Sequence, residues 1–264
     1  MWWWSVGGHR VERGVARLPR LQRRHTATRA LRCGDIMTSA DGHAAHAHNH
    51  HGDGPTDVVM GEAFWDERYR STGALWSGQP NPQLVAEAAG LAPGTALDVG
   101  CGEGADALWL AERGWRVTAV DISAVALERG AAQAVAHGAA VARRIDWLHE
   151  DLTAWVPTEA SYGLVSAQFM HLPKNPRDAL FHALAAAVAP GGSLLIVGHH
   201  PSDLTTIPRP LLPELFFTAS DVAALLDPHG WDIIVSAARE RGATDPGGRA
   251  VTIHDAVLRA RRRA

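Results

Sequence analysis

"LDVGCGEGAD", residues 97–106, sets glycines at positions 100, 102 and 104 directly after a short apolar run, with acids at Asp98 and Glu103. A strand running into alternate glycines makes a loop whose backbone can approach a ligand closely before a helix begins. The run "GCGEGA" fits the G-x-G-x-x-G/A dinucleotide pattern through Gly100, Gly102 and Ala105, and Asp121 lies near where a ribose-binding acid belongs. Charge argues against a dinucleotide. A pyrophosphate on a helix N-terminus needs donors, whereas Asp98 and Glu103 would meet it with negative charge.

Outward from this loop, apolar runs alternate with alanine-rich helical stretches. Strands are expected at 96–99, 116–121, 145–149, 162–167 and 193–198, and helices at 105–113, 124–136, 176–188 and 220–226. Strand-helix repetition of this kind implies an α/β fold, doubly wound, with helices on both faces of a mostly parallel sheet. The last two expected strands, 231–236 and 250–258, have no helix between them and should pair as an antiparallel hairpin at the sheet edge. No fixed-period repeat is visible.

The chain has 264 residues, 46% hydrophobic and 20% charged, enough for one large domain with a full core. Residues 1–36 hold eight arginines against Glu12 and Asp35, so the remainder carries 17 basic and 26 acidic side chains. An acidic body argues against a nucleic-acid surface. Two cysteines, Cys33 and Cys101, make no disulfide framework, and a cytoplasmic setting is expected. No apolar run approaches the roughly 18 residues of a membrane helix. Residues 1–60 read as an extension, disordered or, up to Met37, translated upstream of a second start; a targeting peptide and a basic arm are the competing readings. Its second part, "HAAHAHNHHGDG" (43–54), places His43, His46, His48, His50 and His51 in a Gly-rich linker. Such a tract can bind zinc, nickel or copper, which makes a metal-responsive protein the alternative reading; no defined metal site is assigned.

An adenosine compound without phosphate and with positive charge would suit an acidic glycine loop, and S-adenosylmethionine, with its sulfonium and ammonium, is one. The sequence resembles the class I S-adenosylmethionine-dependent methyltransferases: "ALDVGCGEGADALWLAERGWRVTAVDIS" (96–123) is similar to their first two motifs, and "HEDLTAW" (149–155), "YGLVSAQFMHLP" (162–173) and "VAPGGSLLIVGHH" (188–200) to later ones in order. The likeness covers roughly 61–258. It implies a Rossmann-like seven-stranded sheet with an antiparallel edge strand, and a domain over 61–264.

The resemblance assigns roles to residues. Gly100 and Gly102 would bring backbone against the methionine part, and Asp98 would help order the ammonium. Asp121 would accept from both ribose hydroxyls, as a carboxylate can. Ile122 would pack on the adenine, Asp151 and Leu152 would meet its edge, and Gln168 would lie near the sulfonium. The alternative for Asp151 is a helix or turn cap, and Cys101 reads as a small residue in a tight turn. "FWDERYRSTGALWSGQPNP" (64–82) resembles the N-terminal cap of small-molecule members similar to tellurite-resistance and thiopurine methyltransferases. There Tyr69 and Trp76, within a cap over 61–90, would close over the cofactor, while Trp65 reads as core.

Methyl transfer mainly requires positioning and exclusion of water, so a base is optional. His171 is the first candidate, followed by His199 and His200; Asp203 is a further pocket candidate. "SAQFMH" lacks the Asn or Asp, two prolines and aromatic of amide- and base-methylating enzymes of this fold. The expected partner is therefore a small-molecule methyl acceptor, with neither nucleic acid nor membrane. The acceptor's identity and the oligomeric state stay open.

Overall fold

The computed structural model describes residues 61–264 apart from 74, 171, 207–212 and 246. The Arg-rich and His-rich extension and His171 lie outside the described residues.

Two helices, α1 (Glu62–Arg70) and α2 (Pro82–Ala88), precede the sheet. There follow β1 (Thr95–Val99), α3 (Ala105–Glu112), β2 (Arg116–Asp121), α4 (Ala124–His137), α5 (Ala139–Ala142), β3 (Ile145–His149), β4 (Tyr162–Gln168), α6 (Lys174–Ala187), β5 (Val188–His199), α7 (Ala219–Ala223), β6 (Trp231–Thr244) and β7 (Ala250–Arg262). The seven strands lie in the order β3-β2-β1-β4-β5-β7-β6. All pairs from β3 to β5 are parallel, while β7 runs against both β5 and β6. The reversed strand thus lies one place in from the edge. This is the doubly wound mixed sheet that the alternating pattern implies, with its antiparallel pair at one side.

A strand covered on both faces has no polar side, which is why β1 reads as an almost unbroken apolar run. Its Leu97 and Val99 enter the core formed with α6 and α7 beside Phe181, Leu184, Ile196 and Leu258. Ala96 enters the opposite core, with Leu84 of α2, Leu110 of α3, Leu164 and Val257. The strand order reverses between β1 and β4, so the loops leaving their carboxyl ends splay apart and open a crevice there.

The hairpin departs from expectation in length. The sequence predicts 231–236 and 250–258, whereas β6 has 14 residues and β7 has 13. The added part of β6, "AARERGAT", sets three consecutive charged residues between small ones, which reads as loop until its partner strand is known. Past the pair His199↔Asp255, where β5 ends, the hairpin continues alone to Thr244↔Ala250. It therefore projects over the end of the sheet where the crevice lies. The short α5 has no counterpart in the sequence reading.

Candidate functional site

At the end of β1 the chain turns through Gly100 and Gly102 at φ +67° and +52°, left-handed values that burden any residue with a Cβ. Space imposes the same choice. A Cβ on Gly102 would lie 2.8 Å from the Tyr69 hydroxyl, and one on Gly100 would lie 2.4 Å from Met170 Sδ. The turn is tied to the sheet by the Gly100 and Cys101 amides, which donate to the Val120 carbonyl at 2.8 and 3.0 Å.

Asp121 closes β2 beside this turn. Its Oδ2 accepts from the Gly102 amide and its Oδ1 from the Ser123 amide, each at 2.8 Å. Each oxygen retains a second lone pair, so two hydroxyl donors could still be accommodated. Burial raises its pKa, and the backbone amides of Ser123 and Gly102 pull against that rise. Asp98, at the end of β1, is 2% exposed, and its Oδ2 has no hydrogen-bond partner. Burial first, then the nearby Asp106 and Asp121, push its carboxyl well above the usual range. Burial also lifts Asp106 to about 6, against a 2.6 Å hydrogen bond from the Asn81 amide. Three acids around one turn with an unanswered oxygen form a site for a cation.

Glu103 does not contribute to that charge. Its carboxylate turns outward, accepting from Arg129 Nη1 at 2.9 Å and from the Leu75 and Trp76 amides at 3.2 and 3.5 Å. The expectation that both loop acids face the ligand is corrected: Asp98 and Asp121 flank the turn, and Glu103 holds the lid. Arg129 also reaches the Thr72 carbonyl at 2.8 Å, so one ion pair fastens Thr72, Leu75 and Trp76 over the loop.

The lid itself starts at α1. Asp66 docks it, accepting from Ser123 Oγ at 2.7 Å and from Arg70 at 2.8 Å. Tyr69 is buried and accepts from Trp76 Nε1 at 3.0 Å, while the Trp76 side chain is 49% exposed. Burial and the Asp121 charge raise the Tyr69 pKa, so it stays a neutral hydroxyl against Gly102. Trp65, read as core, is half-buried on the lid, 6.4 Å from the Tyr69 ring.

Across the crevice, Gln168 ends β4 and donates to Ser166 Oγ at 2.8 Å, leaving its buried Oε1 unpartnered. Ile122 follows Asp121, and its carbonyl lies 2.8 Å from His149 Nε2. Asp151 behaves as a turn cap: its Oδ1 accepts from the Thr153 amide and hydroxyl at 2.9 and 2.7 Å. Leu152 is buried in the α6–α7 core. The adjacent Glu150 is buried with Oε1 unpartnered, a residue that the sequence reading passed over.

The histidines divide. The His199 ring packs 4.7 Å from Phe169 and 5.9 Å from Phe216. His200 Nδ1 accepts from the Ser202 amide at 3.2 Å and lies 2.9 Å from its hydroxyl, which is 3.2 Å from His254 Nδ1. Asp203 is fully buried and accepts from the His254 amide at 2.8 Å, so it ties the Pro201–Thr205 turn to β7. The Cys101 thiol is pushed up by burial and by the charges of Asp121 and Asp98, which makes it a poor nucleophile. Among the described residues, no three His, Cys, Asp or Glu side chains are grouped to hold a metal ion. No helix among them is long and apolar enough to cross a membrane.

With this geometry in hand, residues 96–192 match a methyltransferase domain family, and the match begins in β1 and ends in β5. Within that segment the chain is similar to methyltransferase domains. Its relatives include a thiopurine S-methyltransferase of Pseudomonas entomophila, 38% identical over 106 residues, which are 36% of this chain and 47% of that one. A 2-heptyl-1-hydroxyquinolin-4(1H)-one methyltransferase of Mycobacteroides abscessus is 29% identical over 126 residues, 46% of this chain and 54% of that one. The chain thus spans about half the length of the curated relatives it matches. Among solved structures, one described for conversion of a disulfide bond into a thioacetal group during echinomycin biosynthesis shares 28% identity at a TM-score of 0.57. That match covers 77% of this chain and 92% of the other. The methyltransferase match includes Asp98, Gly100, Gly102, Asp121 and Gln168, but stops before the hairpin.

Proposed function

We propose that this protein transfers the methyl group of S-adenosylmethionine to a small-molecule acceptor. The observation that carries the reading is the buried, unpartnered oxygen of Asp98 beside a left-handed glycine turn whose amide is already held by Asp121. A buried carboxylate without a partner is costly unless a cationic group answers it, and the donor set here is anionic. When bound, S-adenosylmethionine would supply a methyl carbon that takes the acceptor's lone pair while the carbon–sulfur electrons remain on sulfur.

In this reading Asp98 orders the ammonium, Gly100 and Gly102 present backbone to the methionine part, and Asp121 takes the ribose hydroxyls. Ile122, Asp151 and Leu152 frame the adenine, Gln168 lies toward the reacting centre, and Tyr69 and Trp76 exclude water. His171 is the candidate base. Residues 61–264 act as one domain with the cap over 61–90, in a cytoplasmic setting, and neither nucleic acid nor membrane is a partner.

The test is transfer of labelled methyl to a panel of small thiols, phenols, amines and oxyanions, with Asp98→Asn as the folded control. Label should enter at least one acceptor, and the substitution should remove most of it. Equal transfer by wild type and Asp98→Asn would overturn the assignment of Asp98.

A further inference from the structure

At the carboxyl end of the sheet, one residue beyond Gln168, Phe169 holds φ +53°, a left-handed value unusual for an aromatic residue. Its amide donates to the Val197 carbonyl at 2.7 Å, so the strained backbone is tied to β5 and the ring is fixed in place. The His199 ring packs 4.7 Å from it, and the buried Phe216 ring backs His199 at 5.9 Å. The next residue, Met170, covers Gly100, so this aromatic wall adjoins the glycine turn.

The projecting hairpin sets a cation beside the wall. Arg241 Cζ lies 5.9 Å from the Phe169 ring centroid. Its Nε donates to Asp255 at 3.1 and 3.3 Å, and Asp255 is 2% exposed and further held by Gln83 Nε2 at 3.2 Å. Arg239 is engaged by Gln83 and Glu87, and Arg259 by Glu87. Arg239 spends both terminal nitrogens and Arg259 its Nη1 on these partners, and Arg259 Nε is buried without a partner, whereas Arg241 is held through Nε and its Nη1 and Nη2 fork carries no hydrogen bond among the described residues. Three guanidiniums against the carboxylates of Glu87 and Asp255 leave the cluster positive. A guanidinium anchored through Nε, with two terminal donors open next to an aromatic surface, is pre-organised for a planar anion.

We infer that Phe169, His199 and Arg241 form the acceptor subsite, and that it takes a planar aromatic ring bearing an ionised oxygen, sulfur or carboxylate. The inference rests on the methyl-transfer reading above and specifies its acceptor. Phe169 and His199 supply faces for the ring, and Arg241 selects the charge. Arg241 belongs to the hairpin, beyond residues 96–192 that match the methyltransferase family model.

The test is calorimetric titration of the full chain with 2-naphthoate, neutral 2-naphthamide and aliphatic hexanoate, with S-adenosylhomocysteine titrated in parallel. Wild type should bind 2-naphthoate about tenfold or more tightly than either comparison compound. Arg241→Gln should erase the preference for naphthoate over naphthamide, while S-adenosylhomocysteine binding is unchanged. Phe169→Leu should weaken both aromatic probes together. Equal binding of naphthoate and naphthamide by wild type, or binding of neither, would overturn the inference, and this comparison needs no variant to fold. Failure of S-adenosylhomocysteine to bind, with naphthoate preference intact, would instead contradict the methyl-transfer reading.

Discussion

Asp98 and Asp121 are both buried acids of the same crevice, yet they answer to different forces. Asp121 is satisfied by two amides, and replacing it with alanine would strand the donors of Gly102 and Ser123 at about 1–3 kcal/mol each. Asp98 has an oxygen with no partner. Asp98→Asn should therefore leave the melting temperature unchanged or raised while weakening S-adenosylhomocysteine binding about 30-fold or more, from the loss of a charge-assisted contact worth about 2–5 kcal/mol. Asp121→Ala should lower both. Paired thermal melts and titrations check this, and a large fall in melting temperature for Asp98→Asn would count against the assigned role. Gly102→Ala should cost about 1–3 kcal/mol of stability, because φ and the Tyr69 hydroxyl both oppose a Cβ. These residues are legible in sequence because their geometry is local: strand, glycines and acid all lie within residues 95–121. Glu103 was misleading for the opposite reason, since Arg129 and the lid amides that turn it outward are far along the chain. Phe169, Met170 and Arg241 left no local signal, their significance arising only where β4, β5 and β6 end together.

Helices and parallel strands followed their periodicity, and most bounds differ from expectation by one or two residues. The hairpin did not, because a run of charged residues flanked by small ones looks like loop until β7 supplies Asp255 as a partner for Arg241. The lid is the other element whose tether is invisible locally. Glu103 and Arg129 fasten Thr72, Leu75 and Trp76, and Asp66 fastens α1 to Ser123. Glu103→Gln removes the ion pair and keeps the fold. Hydrogen exchange of the Leu75 and Trp76 amides should accelerate about tenfold, and cofactor affinity should fall by a similar factor. Unchanged exchange at those amides would mean that the lid is held by its aromatic contacts alone.

For the whole molecule, the acids around the glycine turn make ligand binding a proton-linked event. Asp106 is raised from its ordinary 3.8 to about 6, and Asp98 and Asp121 are raised with it. A raised carboxyl holds its proton in the folded state where the unfolded chain has lost it. Its contribution to stability is full below about pH 3.8 and is lost as pH rises through about 6. A bound cation favours the ionised form and reverses that cost. Binding of S-adenosylmethionine near pH 6 should therefore release protons, seen as a buffer-dependent heat, and affinity should fall as pH drops below 6. Proton uptake on binding would contradict the placement of these acids at the ligand. The same electrostatic choice separates this crevice from the dinucleotide sites that its glycine spacing resembles. The most direct test is calorimetric titration of the protein at pH 7.5 with S-adenosylmethionine and, separately, with NADH. One-to-one binding of S-adenosylmethionine with no detectable heat from NADH is the expected result; saturable binding of NADH with none of S-adenosylmethionine would contradict the account.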